Sequence, residues 1–197
     1  SEEQKAYLEE VCIDMWEPYL LAVKAMLPSH VKVTIDRFHV VKNLHDAISK
    51  TRRDIQREAD EETKAVLKGC RWTIVRNREN LSEKERVHLP KLYAASPALQ
   101  LCHNLKDEFR AIFDLQDRQE AEIWLEDWIA TVQASTLKPL QRFVKTLRNW
   151  WEHILNYFDH RSSNGFAEGL NNKIKMLKRR GFGFLNFDHF RLRILVA

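Results

Sequence analysis

Residues 31–58, VKVTIDRFHVVKNLHDAISKTRRDIQRE, decide the reading of the fold. Val31, Val33 and Ile35 alternate with Lys32 and Thr34, the period of a half-buried strand, and Asp36 ends it. Apolar residues then recur at helical spacing, which places Val41, Leu44, Ile48 and Ile55 inside a long helix and Lys42, Arg52, Arg53 and Arg57 outside it. Upstream, Val11-Cys12-Ile13 is a short apolar run of the buried-strand type, ending at Asp14. Residues 16–27 carry Trp16, Tyr19, Leu20, Val23 and Leu27 at helical spacing until Pro28 stops them. Strand and helix therefore alternate over the first sixty residues.

From residue 61 to 160 strand signals nearly vanish. Leu99, Cys102, Leu105, Phe109 and Ile112 form one helical stripe, and Ala121, Trp124, Leu125, Trp128 and Val132 form a second. Leu140, Phe143, Val144, Leu147, Trp151, Ile154 and Phe158 form a third. Residues 71–80 are the least regular stretch of this helical block. After HRSSNG, a helix over about 166–180 puts Phe166, Leu170, Ile174 and Leu177 on one face. Glu168, Asn172, Lys175 and Arg179 lie opposite. Gly181 and Gly183 break it, and a last helix carries Phe187, Phe190, Ile194 and Leu195.

Composition agrees with a mostly helical α/β protein. Five glycines and five prolines in 197 residues fall below the usual combined share of about 12%, too few breakers for a turn-rich all-β fold. Six Trp and ten Phe argue against disorder. No apolar run approaches the roughly 20 residues of a membrane span, and the polar, acidic start SEEQKAYLEE carries no signal-peptide pattern. Cys12, Cys70 and Cys102 are odd in number and far apart, so reduced thiols in a cytoplasm are expected. Net charge is +4, unevenly placed: residues 161–197 hold eight basic and two acidic side chains, leaving residues 1–160 at −2. A basic end on a near-neutral body points to an anionic partner, nucleic acid first. A solvated basic helix would look the same.

Three acids stand out. Asp14 and Asp36 each follow an apolar strand, where side chains of an α/β sheet emerge into the usual active-site crevice. Glu168 lies on the helix face that carries amides and cations. Carboxylates gathered there could hold Mg²⁺, a hard cation that prefers oxygen ligands. Each also has a plain structural role open to it: Asp14-Met15-Trp16-Glu17 fits a capping box, Asp36 fits an N-cap, and Glu168 fits a solvated helix position. His39, three residues after Asp36, could orient a carboxylate, ligate metal, or be a satisfied core histidine. His30, His45, His153 and His160 have no zinc-like spacing, and there is no Gly-rich phosphate loop or nucleophile elbow.

Four strings in order, VCIDMWEPYLLAVKAMLP, VTIDRFHVVKNLHDAISKTRRDIQRE, GCRWTIVRNRENLSEKE and HRSSNGFAEGLNNKIKMLKRRGFGFLNFDHFRLRIL, span nearly the whole chain. Together they resemble the ISL-three family of DDE-type insertion-sequence transposases. The resemblance implies a ribonuclease-H-like core in which three acids hold Mg²⁺ or Mn²⁺ for DNA cleavage and strand transfer. Asp14 and Asp36 stand 22 positions apart, too few for the strands that separate the first two acids of that fold. Asp14 thus matches the second acid, Asp36-Arg37-Phe38-His39 a D-x-x-H signature that supports it, and Glu168 the final glutamate. Lys175, Lys178, Arg179 and Arg180 would face DNA phosphates.

On this reading residues 1–60 are the closing strands and helices of the core and 61–160 a helical insertion. Residues 161–197 are the glutamate helix and a basic C-terminal helix. The first aspartate has no counterpart here, so the expectation is a C-terminal part of a catalytic domain, cut or truncated. It should be inactive alone, bind Mg²⁺ weakly, and self-associate through the strand at 11–13 or its neighbour. The competing reading is a non-enzymatic helical module, or an inactive transposase remnant, that binds nucleic acid or protein through its basic tail.

Overall fold

The computed structural model describes residues 2–196. Helix α1 (Glu2–Ala6) leads into strand β1 (Glu10–Ile13). Helix α2 (Glu17–Met26) then makes the crossover that a parallel partner requires, and β2 (Lys32–Ile35) follows. The two strands pair in parallel from Glu10↔Lys32 to Ile13↔Ile35, so Asp14 and Asp36 leave the sheet side by side. The alternation expected of β2 is exceeded, because Val33, Thr34 and Ile35 are all buried. A buried threonine needs a partner, and its hydroxyl donates to the Glu10 carboxylate on the neighbouring strand. The face expected of α2 is not a buried one: Trp16 and Tyr19 stack edge to face on the surface, and no residue of the helix is fully buried.

Helix α3 (Arg37–Glu58) begins at an N-cap in which the Asp36 carboxylate accepts from the Phe38 amide at 2.7 Å. Its interior line is Val40, Leu44, Ile48 and Thr51, so the helix is rotated slightly from the expected one; Val41 and Ile55 are half-buried, as is Arg52. The rest of the body is a run of helices separated by caps and turns: α4 (Glu61–Leu67), α5 (Arg71–Val75), a 3₁₀ turn at Arg78–Asn80, α6 (Glu83–Ala95), α7 (Pro97–Ile112), α8 (Arg118–Ala134) and α9 (Lys138–Asn149). Asp60, Ser96 and Asp117 cap α4, α7 and α8 through their side chains, and Ser82 with Glu85 forms a capping box on α6.

The stripe of α7 is buried throughout. In α8 Ala121, Leu125, Trp128 and Val132 are buried, while Trp124 faces solvent. The third stripe is not one helix: the chain breaks at Trp150 into α10 (Trp151–Leu155) and α11 (Tyr157–His160), which carry Ile154 and Phe158 into the same core. Phe109, Phe113, Trp128, Phe143, Tyr157 and Phe158 meet there at ring separations of 4.8–6.1 Å. One continuous cluster joins Ile13, Val33 and Ile35 of the strands to these helices through α3.

Around the sheet, His153 Nδ1 (3.2 Å) and Asn156 Nδ2 (2.9 Å) both reach the Val33 carbonyl. The α10 side of β2 is thereby covered, so of the two strands expected to offer a pairing edge, β2 is already closed on that side.

The chain divides into two compact units, Ser1–Ser162 and Ser163–Ala197. The second holds α12 (Gly165–Arg180) and α13 (Phe187–Leu195), joined at a turn in which Phe182 (φ 52°) and Gly183 (φ 94°) are left-handed. The Phe182 amide donates to the Arg179 carbonyl and the Gly183 amide to that of Lys178, which closes the end of α12. Phe184 and Phe190 rings pack at 5.0 Å, but neither helix has a fully buried residue, and Phe166 and Leu170 of the expected apolar face are exposed.

Candidate functional site

The carboxyl ends of the two strands form the site in the first unit. Asp14 does not cap α2; the N-cap there is Trp16, with no side-chain cap bond. Its Oδ1 instead lies 2.9 Å from His39 Nε2, one turn into α3, and the carboxylate keeps 40% of its surface in solvent. His39 therefore reaches the carboxylate of the other strand rather than that of Asp36. Asp36 is 5% exposed and spends an oxygen on the α3 cap, and its own amide donates to the Ile13 carbonyl at 3.0 Å. That bond ties the two strand ends together and fixes the spacing of the acids.

The crevice is electronegative. Burial pushes the Cys12 thiol up to about 12, and Asp36, Glu10 and Asp14 add to the effect in that order. The Glu10 carboxylate is held by the hydroxyls of Thr34 and Ser162, and Cys12 Sγ lies 3.7 Å from the Ser162 carbonyl. Two exposed aromatics adjoin the acids: Trp16, whose amide donates to the Asp14 carbonyl, and Phe38, edge-on to His39.

A divalent cation would meet one accessible carboxylate here, Asp14, in a negative field and with an imidazole behind it. Those residues fit an oxygen-preferring metal as part of a ligand set. Among the described residues no three His, Cys, Asp or Glu side chains gather as a complete cage.

Glu168 stands in the first turn of α12, in the second unit, exposed, its amide donating to the Asn164 carbonyl at 2.8 Å. Lys175, Lys178, Arg179 and Arg180 are exposed on the same helix. At 3.6 residues per turn, Lys175 and Arg179 share the Glu168 stripe, whereas Lys178 and Arg180 lie about 80° and 120° around from it. An acid in the first turn and cations in the last also complement the helix dipole.

One polar group escaped the sequence reading. Lys106 is fully buried on α7 and donates to the carbonyls of Ile74 (3.2 Å) and Arg76 at the end of α5. Its ammonium also lies 3.0 Å from Asp107, which Arg78 meets at 2.6 Å. His103, equally buried, pairs through Nδ1 with the Tyr93 hydroxyl at 2.7 Å. Burial, then the Lys106 charge, push its pKa down to about 4. The available signal was a His and a Lys at positions 103 and 106, inside the apolar stripe of α7.

The sequence model of the ISL3-type DDE transposase family, described as "Transposase", matches residues 1–194. The chain is similar to the transposase for insertion sequence element IS1001 of Bordetella parapertussis, 31% identical over 193 residues, covering 96% of this chain and 47% of that protein. It is also similar to the transposase for IS1557 of Mycobacterium tuberculosis, 29% identical over 118 residues, 60% of this chain and 26% of that one. A Lactococcus lactis protein named "ATP-dependent protease" is 30% identical over 124 residues, 60% of this chain and 38% of its own length. No solved structure matches. The chain spans about half the length of the Bordetella relative and less of the others. With a match over almost every residue, the chain belongs to the ISL3 family of DDE transposases.

Proposed function

We propose that this chain is part of the catalytic domain of a DNA transposase, and that Asp14 and Glu168 are two of the acids that hold its divalent metal. The observation that carries the reading is the Asp14–His39 pair at 2.9 Å, at the carboxyl ends of parallel strands, in a chain of this family. The parallel strand–helix–strand start fits a portion of a ribonuclease-H-like core, with the helices after residue 60 as an insertion. Mg²⁺ or Mn²⁺, when bound, would activate the attacking oxygen and stabilise the leaving one in phosphodiester cleavage and strand transfer.

The chain's own residues would prepare that site. His39 holds the Asp14 carboxylate in one orientation. Asp36 anchors the start of α3, so the imidazole stays in register with β1. Lys175, Lys178, Arg179 and Arg180 would meet DNA phosphates, contacts that position a duplex without reading its sequence. Self-association would use β1, since α10 covers its neighbour.

Calorimetric titration of Mg²⁺ and Mn²⁺ tests the assignment. Binding should be weak, because a cation held by few carboxylates keeps most of its waters, and it should fall with Asp14→Ala and with Glu168→Ala. Tight binding that survives both substitutions together would overturn the choice of residues.

A further inference from the structure

A cleft of about 480 Å³ opens on the flank of the helical body, between the middle of α3, the start of α5 and the start of α9. Five cations line it, Lys50, Arg52, Arg53, Arg71 and Arg142, against one carboxylate, Asp46. This is a local excess of four positive charges in a body, residues 1–160, whose net charge is −2. Arg52 is half-buried and bonds Gln56 at 2.7 Å. Lys50, Arg53, Arg71 and Arg142 have no described carboxylate within ion-pair distance. Elsewhere in the unit Arg76, Arg78, Arg110 and Arg148 each hold one, and Arg118 holds two. Like charges gathered around one cleft repel, and an anion lying in it would relieve that repulsion.

The elements that wall the cleft are anchored in the core: Thr51 of α3, Leu140 and Phe143 of α9 and Ile74 of α5 are buried, as is Cys70 just before Arg71. Lys50 and Arg53 stand one turn apart on α3, so their charges project from one face. Lys50 lies 14 residues past Asp36, about 21 Å along the helix at 1.5 Å per residue.

We propose that this cleft is a second contact for the phosphodiester backbone of duplex DNA, remote from the acids. The inference rests on the DNA reading above and deepens it. A duplex following α3 from Asp14 would present phosphates over the cleft about six base pairs away, at 3.4 Å per pair. Arginine forks suit phosphate oxygens, and such contacts carry affinity and register rather than sequence preference.

The test is duplex binding across a salt series for the whole chain and its variants. Each phosphate contact contributes about −0.9 to the slope of log K against log salt, so Arg53→Gln, Arg71→Gln and Arg142→Gln together should flatten the slope by up to about 2.7. The corresponding Arg→Lys triple should retain the slope, which separates charge from damage to the fold. Should the Gln triple unfold, Arg53→Gln alone should still remove about 0.9. Lys178→Ala, Arg179→Ala and Arg180→Ala provide the comparison. An unchanged slope for the cleft variant beside a flattened one for the tail variant overturns this inference and leaves the DNA reading standing. No salt-dependent duplex binding by the unaltered chain overturns the DNA reading itself. Tripolyphosphate binding that the Gln triple abolishes, with the duplex slope intact, would make the cleft a small-anion site and also overturn the proposal.

Discussion

Acid should loosen the helical body at His103. The ring is fully buried, and its pKa falls from 6.5 to about 4, first through burial and then through the adjacent Lys106 charge. The unfolded chain takes up a proton near 6.5 and the folded chain refuses it until about 4, so the unfolded state binds more protons in between. Stability is therefore complete above about 6.5 and is lost as pH falls toward 4. Integrating between those two values, relative to pH 7, gives a loss on the order of 1 kcal/mol by pH 5.5 and of 2 kcal/mol by pH 4.5. His45 and His153 are shifted in the same direction, mainly by burial, and will add to the total. The comparison that isolates His103 is His103→Asn, whose amide can still face the Tyr93 hydroxyl. Urea unfolding at pH 7.0, 5.5 and 4.5 measures both proteins. The unaltered chain should lose about 2 kcal/mol more than the variant over that range. Equal losses would refute the argument and mean that the ring is protonated without penalty in the folded state.

Three further outcomes follow from the same contacts. Lys106→Met strands the Ile74 and Arg76 carbonyls and should cost about 2–4 kcal/mol in urea unfolding; it should also reduce the acid sensitivity, because the second cause of the His103 shift is gone. Asp36→Ala removes the α3 cap and should cost about 1 kcal/mol, while an unchanged unfolding midpoint would mean that the cap contributes nothing. The Cys12 thiol, raised from 9.0 to about 12, should alkylate at pH 8 roughly a thousandfold more slowly than a free thiol, and rapid labelling would contradict its burial and its negative surroundings.

Much of the scaffold could be read from periodicity and caps. Asp36, which fits an N-cap in the sequence, accepts the Phe38 amide, and Ser96 and Asp117, just ahead of two apolar stripes that are legible in the sequence, cap their helices in the same way. What local pattern could not supply was tertiary compensation. Thr34 reads as the polar side of a half-buried strand, and only Glu10, 24 positions away, makes its burial affordable. Lys106 is hidden for the same reason, since its acceptors lie about 30 residues upstream. In the site, Asp14 and Asp36 looked alike as strand-end acids with capping patterns. Burial and pairing separated them, one half-exposed against His39 and the other locked into a helix start. The cleft cations looked like an ordinary solvated face, because Arg71 and Arg142 join Lys50 and Arg53 only through the packing of α5 and α9 on α3.

Fe²⁺-catalysed backbone cleavage tests most directly whether Asp14 and Glu168 hold the proposed metal. With Fe²⁺ in place of Mg²⁺, radicals formed at the bound ion cut the chain at the residues nearest it, and the fragments map the site without requiring turnover. Cuts are expected to flank Asp14 and Glu168, both suppressed by excess Mg²⁺ and both lost with Asp14→Ala. Cuts confined to other segments, or cuts at these two that persist in Asp14→Ala, would contradict that assignment.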